Sequence, residues 1–150
     1  MKFQSSSETA KSFSELYFHD YTFVSMKVLP AQSRGDNDGS VIEIQLLQYS
    51  ERVQQVLRFL GCANLRVAID FDVLAHNFPM NTSGVNADTD TTAMWSLMQA
   101  QTRDWGVAYP NMPTPLDRKS HVMKEFSCFR VQLCGGVIEI IAKQFQVNQI

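Results

Sequence analysis

Leu65-Arg66-Val67-Ala68-Ile69-Asp70-Phe71-Asp72-Val73 alternates by parity: Leu65, Val67, Ile69, Phe71 and Val73 on one side, Arg66, Ala68, Asp70 and Asp72 on the other. A period of two with one apolar and one polar parity is the signature of an antiparallel strand with a core face and a wet face. The same reading extends outward. Thr22 to Val28 sets Val24, Met26 and Val28 against Phe23, Ser25 and Lys27, and Val41 to Gln48 sets Ile42, Ile44 and Leu46 against Glu43 and Gln45. Between these runs, Ser33-Arg34-Gly35-Asp36-Asn37-Asp38-Gly39-Ser40 is rich in residues that favour turns, so the pair reads as a hairpin. Its Arg34-Gly35-Asp36 tripeptide reads as turn chemistry.

Further along, Phe126 to Cys134 and Val137 to Val147 flank Gly135-Gly136, which predicts a second hairpin with a two-residue loop. That loop pairs Leu133 with Ile138, Val131 with Ile140 and Phe129 with Ala142, placing the apolar residues on one face. It also sets Arg130 diagonal to Glu139 on the other face. Val53, Val56, Leu57 and Leu60 fit a helical stripe, yet Val53, Gln55, Leu57 and Phe59 alternate; Gly61 favours a strand over Val56–Leu60. From His76 to Thr92 the composition turns polar and reads as a long connection. It leads to a helix over Thr91 to Asp104, with Asp90 as N-cap, Met94, Leu97, Met98 and Gln101 on one face, and Gly106 as the stop. Tyr109-Pro110-Asn111-Met112-Pro113-Thr114-Pro115 follows as extended backbone. A short helix fits Glu8 to Tyr17. The fold class expected is mainly β (α+β): six to eight antiparallel strands by run spacing, in a sandwich or curled sheet with one covering helix.

The 150 residues suit a single domain spanning the chain. Hydrophobic residues at 45% and charged residues at 19% place it among globular chains. With 13 Lys and Arg against 15 Asp and Glu, the net charge of −2 argues against a protein whose main work is coating nucleic acid or an anionic membrane, and leaves room for a local basic patch. Mostly polar residues occupy Lys2 to Lys11, where a secretory signal would need an uninterrupted apolar stretch, and no apolar run approaches the length that crosses a bilayer. Cys62, Cys128 and Cys134 lack metal-site spacing. On one strand, Cys128 and Cys134 would sit about 20 Å apart, beyond the reach of a disulfide. The expectation is reduced thiols in the cytoplasm.

No pattern in the chain fixes a reaction. His19-Asp20 spells the dipeptide of the metal phosphohydrolases, but those hold it in a helical bundle, whereas here it opens a strand; His76 and His121 lack ligand spacing. Asp70 and Asp72 project from one strand face about 6.6 Å apart, which suits either acid–base chemistry or a merely solvated face. Trp95, Trp105 and Tyr109 sit on or beside the expected helix, as a lid over the sheet or as a recognition patch.

Tyr17-Phe18-His19-Asp20 before a strand, Ile69-Asp70-Phe71-Asp72-Val73-Leu74-Ala75-His76-Asn77 before a polar loop, and the closing Gly135-Gly136-Val137-Ile138-Glu139-Ile140-Ile141-Ala142-Lys143-Gln144-Phe145 resemble small bacterial β-rich proteins of uncharacterised or toxin-immunity type. The likeness covers about a third of the chain. It implies a cytosolic binding protein that occludes a partner, and it transfers no catalytic residue, cofactor or metal. The expected function is therefore a non-enzymatic protein-binding module of the immunity kind, with Trp105, Tyr109, Asp70, Asp72 and His76 as candidate partner-binding residues. The alternative is a small-ligand-binding β protein or enzyme with Asp70, Asp72 and His76 at the rim of a pocket on the sheet face.

The helix phase makes one prediction. Trp95, beside Met94 and Met98, should behave as core, and Trp105, next to Gly106, should be the more exposed. Iodide quenching of single-Trp variants checks it; greater access at Trp95 would overturn the phase.

Overall fold

The computed structural model describes residues 5–31, 39–48, 52–70, 81–91 and 125–149. Ser5 begins the first element with a capping box: its side chain accepts from the Glu8 backbone N–H, and the Glu8 carboxylate accepts from the Ser5 N–H, each at 3.3 Å. This starts helix α1 (Ser6–Ser14), which buries Thr9, Ala10 and Phe13. Eight strands follow: β1 (Tyr21–Leu29), β2 (Val41–Gln48), β3 (Val53–Leu60), β4 (Asn64–Ile69), β5 (Thr82–Asp88), β6 (Ser127–Leu133), β7 (Gly136–Ala142) and β8 (Gln144–Gln149). They form two four-stranded antiparallel sheets, in the orders β1-β2-β3-β8 and β4-β7-β6-β5.

The two sheets are joined by strands that change sheet at a shared corner. β3 runs into β4 through residues 61–63, and β7 runs into β8 through Lys143 alone. At the bend the two strand pairs remain tied: the Ala63 N–H donates to the Ile141 carbonyl at 2.8 Å, and the Lys143 N–H to the Leu60 carbonyl at 3.0 Å. Gly61 turns here at φ +63°, and a Cβ on it would lie 3.0 Å from the Lys143 side chain. The result is one long sheet folded over on itself, a curled sheet. At its far ends β1 and β5 meet through a single bridge between Thr22 and Asn81. Thr82 staples that junction: its buried hydroxyl accepts the Tyr21 N–H at 3.0 Å and donates to the Phe18 carbonyl, and its carbonyl accepts the Asp20 N–H at 2.8 Å.

The curl closes on a core of Ile42, Ile44, Leu46, Leu57, Phe59, Phe129, Val131, Leu133, Ile138 and Ile140. Helix α1 plugs it. The Phe13 ring stands 5.0 Å from Phe129, 5.0 Å from Phe145 and 5.7 Å from Phe59, edge to face in each case. Two serines hold the helix to the second sheet: the Ser14 hydroxyl accepts the Ala87 N–H at 2.9 Å, and the Ser127 hydroxyl donates to the Ser6 carbonyl at 3.0 Å.

The mainly-β antiparallel architecture with one covering helix is the one expected, and several local expectations shift. The covering helix among the described residues is α1, shorter than Glu8 to Tyr17; the helix expected from Thr91 to Asp104 lies outside them except for its buried first residue. β3 begins at Val53 and keeps the alternating phase. In β1 a bulge between Phe23 and Ser25 resets the parity, so Phe23 packs inward with Met26 while Val24 is 45% exposed. The C-terminal loop is Cys134-Gly135, not Gly135-Gly136, and Phe129 faces Ile140. This register differs by two residues from the expected one, which leaves every face unchanged and so escapes the hydrophobic pattern. Gly135 takes φ +93° in the turn, whereas Gly136 lies in β7, where a Cβ would come within 2.5 Å of the Ala68 carbonyl oxygen. Val137–Val147 is two strands, not one, because it crosses the corner. The expected polar connection contains a strand, β5, whose inward parity is only Val85 and Ala87. β4 borders its sheet, so Val67 is 41% exposed despite its apolar parity.

Phe13→Ala should lower stability by about 3–5 kcal/mol, as expected for emptying a buried aromatic site. Tyr17→Ala, at a ring 78% exposed, should change it by less than about 0.5 kcal/mol. Urea denaturation of both checks the wedge; equal effects would contradict it.

Candidate functional site

The outer face of the second sheet is built in rows, because cross-strand partners share a face. The first row, Asn64, Ile141, Cys128 and Asp88, is apolar at its centre, and Phe126 packs on it with Cys128 and Ile141. Next comes Arg66, Glu139, Arg130 and Asn86, where positive, negative and positive side chains stand side by side. Then comes Ala68, Val137, Gln132 and Gly84. Beyond it lie Asp70 and the Cys134-Gly135 turn, tied by the Asp70 N–H donating to the Gly135 carbonyl at 2.7 Å. The short third row between taller neighbours leaves a depression of about 690 Å³. It is lined by Ala68 and Val137, by Arg130, Gln132 and Glu139, and by Asp70 at the end nearest the turn. All the described lining belongs to β4, β6, β7, the turn and Asp70 just past β4, so the feature is a trough on a sheet face.

Arg130 forms the fixed wall. Its Nη1 donates to Asp88 Oδ2 at 2.6 Å, and its Nε lies 4.0 Å from Glu139 Oε2. Burial alone would lower this guanidinium's pKa, but the Asp88 hydrogen bond and the two carboxylate charges outweigh it and hold the group above its ordinary value. Beneath, burial pushes the Cys128 thiol up to about 11, with Arg130 opposing and the carboxylates adding to the rise. At Cys62, burial pushes the thiol up to about 12 against a backbone hydrogen bond from Ile42. Cys134 is exposed on the turn beside the trough.

Of the candidate residues, the structure places Asp70, exposed, at the trough's end. Asp72, His76, Trp105 and Tyr109 lie outside the described residues, as do Trp95 and His121. His19 and Asp20 sit elsewhere, between α1 and β1. Asp20 adopts φ +63°, and its carboxylate pairs with His19 Nδ1 at 3.0 Å. Among the described residues no three His, Cys, Asp or Glu side chains converge as metal ligands, and no helix is long and apolar enough to cross a membrane. Asp88 is the site residue that sequence reasoning missed. The alternation of Val85 and Ala87 with Asn86 and Asp88 was its available signal, masked by the polar residues around it. Comparison of the chain with family models, with curated proteins and with solved structures finds no match in any of the three.

Raised thiol pKa values carry a sign. An unfolded cysteine ionises near 8.5, so the unfolded chain loses these protons first. The stability that burial of Cys62 and Cys128 contributes is complete below that pH and falls as the pH climbs toward 11. At pH 8.5 iodoacetamide should alkylate Cys134 in the folded protein and leave Cys62 and Cys128 for urea to expose. Peptide mapping reads the order, and early labelling of Cys128 would contradict its burial.

Proposed function

We propose that this chain is a non-enzymatic binding module of the toxin-immunity kind, which occludes a protein partner with the outer face of β4, β7 and β6. The observation that carries this reading is the trough itself. Ligand pockets of similar volume enclose most of a small molecule, whereas the lining described here is one sheet face with walls a side chain high. Such a surface suits a partner that supplies the opposite wall. The Arg130–Asp88 bond and the cross-strand pairing fix the face before binding, which limits the ordering entropy that association must overcome. In this reading Asp70 is a contact residue, and Asp72, His76, Trp105 and Tyr109 extend the contact surface. The protein acts in the cytoplasm, the compartment where its three thiols stay reduced, and it engages neither nucleic acid nor membrane.

Ala68→Trp fills the trough from an exposed position on β4. Affinity capture from a lysate of the source cells should recover a partner with the natural protein and lose it at least tenfold with this variant, at an unchanged melting temperature. Equal recovery by both, or no partner at all, would count against the reading.

A further inference from the structure

We infer that the trough takes a cationic side chain, arginine or lysine, presented by a polypeptide partner; this rests on the binding-module reading and specifies the chemistry it would recognise. Among the described residues, the charged groups lining the trough are Asp70, Glu139 and Arg130. Arg130 is committed, because its Nη1 is held by Asp88 at 2.6 Å, and an anionic ligand would have to displace that carboxylate to reach it. Glu139 is held less closely: its Oε2 is 4.0 Å from Arg130 Nε, beyond hydrogen-bond range. Counting Asp88 and Arg66, the cross-strand partner of Glu139, three carboxylates face two guanidiniums among the described residues, so the trough and its wall carry a net charge of −1 there. The floor between the carboxylates is Ala68 and Val137, side by side across the strands. That floor can take the methylene stem of a long basic side chain while its charged head reaches the rim. Gln132 beside them adds an amide oxygen as a further acceptor.

The spacing sets a second condition. Asp70 follows Ile69, which pairs with Gly136, so Asp70 lies level with Gly135, four residues along β7 from Glu139. That separates the two carboxylates by roughly 13 Å along the strand direction. An extended segment with basic residues four apart spans the same length, so one side chain would meet Glu139 and the next Asp70. The occupant that fits is an extended basic segment rather than a single small cation.

The test is a titration of the ¹⁵N-labelled protein with penta-arginine, and separately with penta-glutamate, followed by amide shifts. Penta-arginine should saturate, with the shifts clustered at Ala68, Asp70, Val137 and Glu139, and penta-glutamate should leave these amides still. Glu139→Gln preserves the side-chain shape and should weaken penta-arginine binding at least tenfold, with the melting temperature as a control. Shifts centred on Glu8 and Glu15 instead, or an equal response to penta-glutamate, would overturn the proposal. So would unchanged affinity in Glu139→Gln. The two readings fail separately. If Ala68→Trp abolishes partner capture while Glu139→Gln leaves capture and penta-arginine affinity intact, the binding module stands and the cation site falls. If penta-arginine fills the trough while Ala68→Trp leaves capture untouched, the cation site stands and the module reading falls.

Discussion

The insertion of Phe13 between the sheets is the contact on which the rest of the structure depends. Its ring meets Phe59 and Phe145 from one sheet and Phe129 from the other, so one side chain on a nine-residue helix closes the curl. Edge-to-face aromatic pairs each add about 0.5–1.5 kcal/mol beyond the area they bury, and three converge here. The helix is too short to be stable alone. Its capping box fixes where it starts, and the Ser14 and Ser127 bonds fix where it sits. Local and tertiary preferences therefore agree on one position for the ring.

The corner is the complementary constraint. Because β3–β4 and β7–β8 bend at the same level, the outer face of the second sheet follows directly from the core register of the first. Gly61 permits the bend, and the bonds from Ala63 and Lys143 keep the ladder continuous through it. The same strands carry a charged row on each outer face: Lys27, Glu43, Arg58 and Gln146 on one, Arg66, Glu139, Arg130 and Asn86 on the other. In the first, Arg58 Nε approaches Glu43 Oε1 to 3.0 Å off hydrogen-bond alignment, so the attraction there is Coulombic rather than directional. In the second, Arg130 has turned away from Glu139 toward Asp88, and that difference gives the second face its less tightly held carboxylate.

The architecture was largely legible in the sequence, because it rests on alternation in Val41–Gln48, Val53–Leu60 and the C-terminal strands, where buried parity is dense with Ile, Leu and Phe. What escaped has specific causes. A bulge at Val24 shifts phase without a sequence mark. The hairpin register slipped by two because parity is blind to even shifts, and Gly136 looked like a loop residue although its missing Cβ serves a close approach of β4. β5 hid because an edge strand stapled through the Thr82 hydroxyl needs few apolar residues. The site suffered most from that last omission. Without β5 there is no Asp88, and without Asp88 the Arg130 side chain looks like a free cation paired only with Glu139.

The trough owes its shape to a mismatch of side-chain length between adjacent rows. Across a pleated sheet, same-face rows are about two residues apart, close to 7 Å. A row of Ala68, Val137, Gln132 and Gly84 beside one of Arg66, Glu139, Arg130 and Asn86 must therefore produce a step. The step stays open at the Gly84 end, where no described residue lies within 4 Å of the Cβ position. At the other end the close approach of Gly136 to the Ala68 carbonyl holds β4 against β7, and the Asp70–Gly135 bond fixes the terminal carboxylate beside the turn. The turn end is thus set by backbone pairing, and the wall by the Arg130–Asp88 bond. A surface fixed in that way keeps its shape without its occupant, which is the condition for a partner to be recognised by charge and fit rather than by mutual folding.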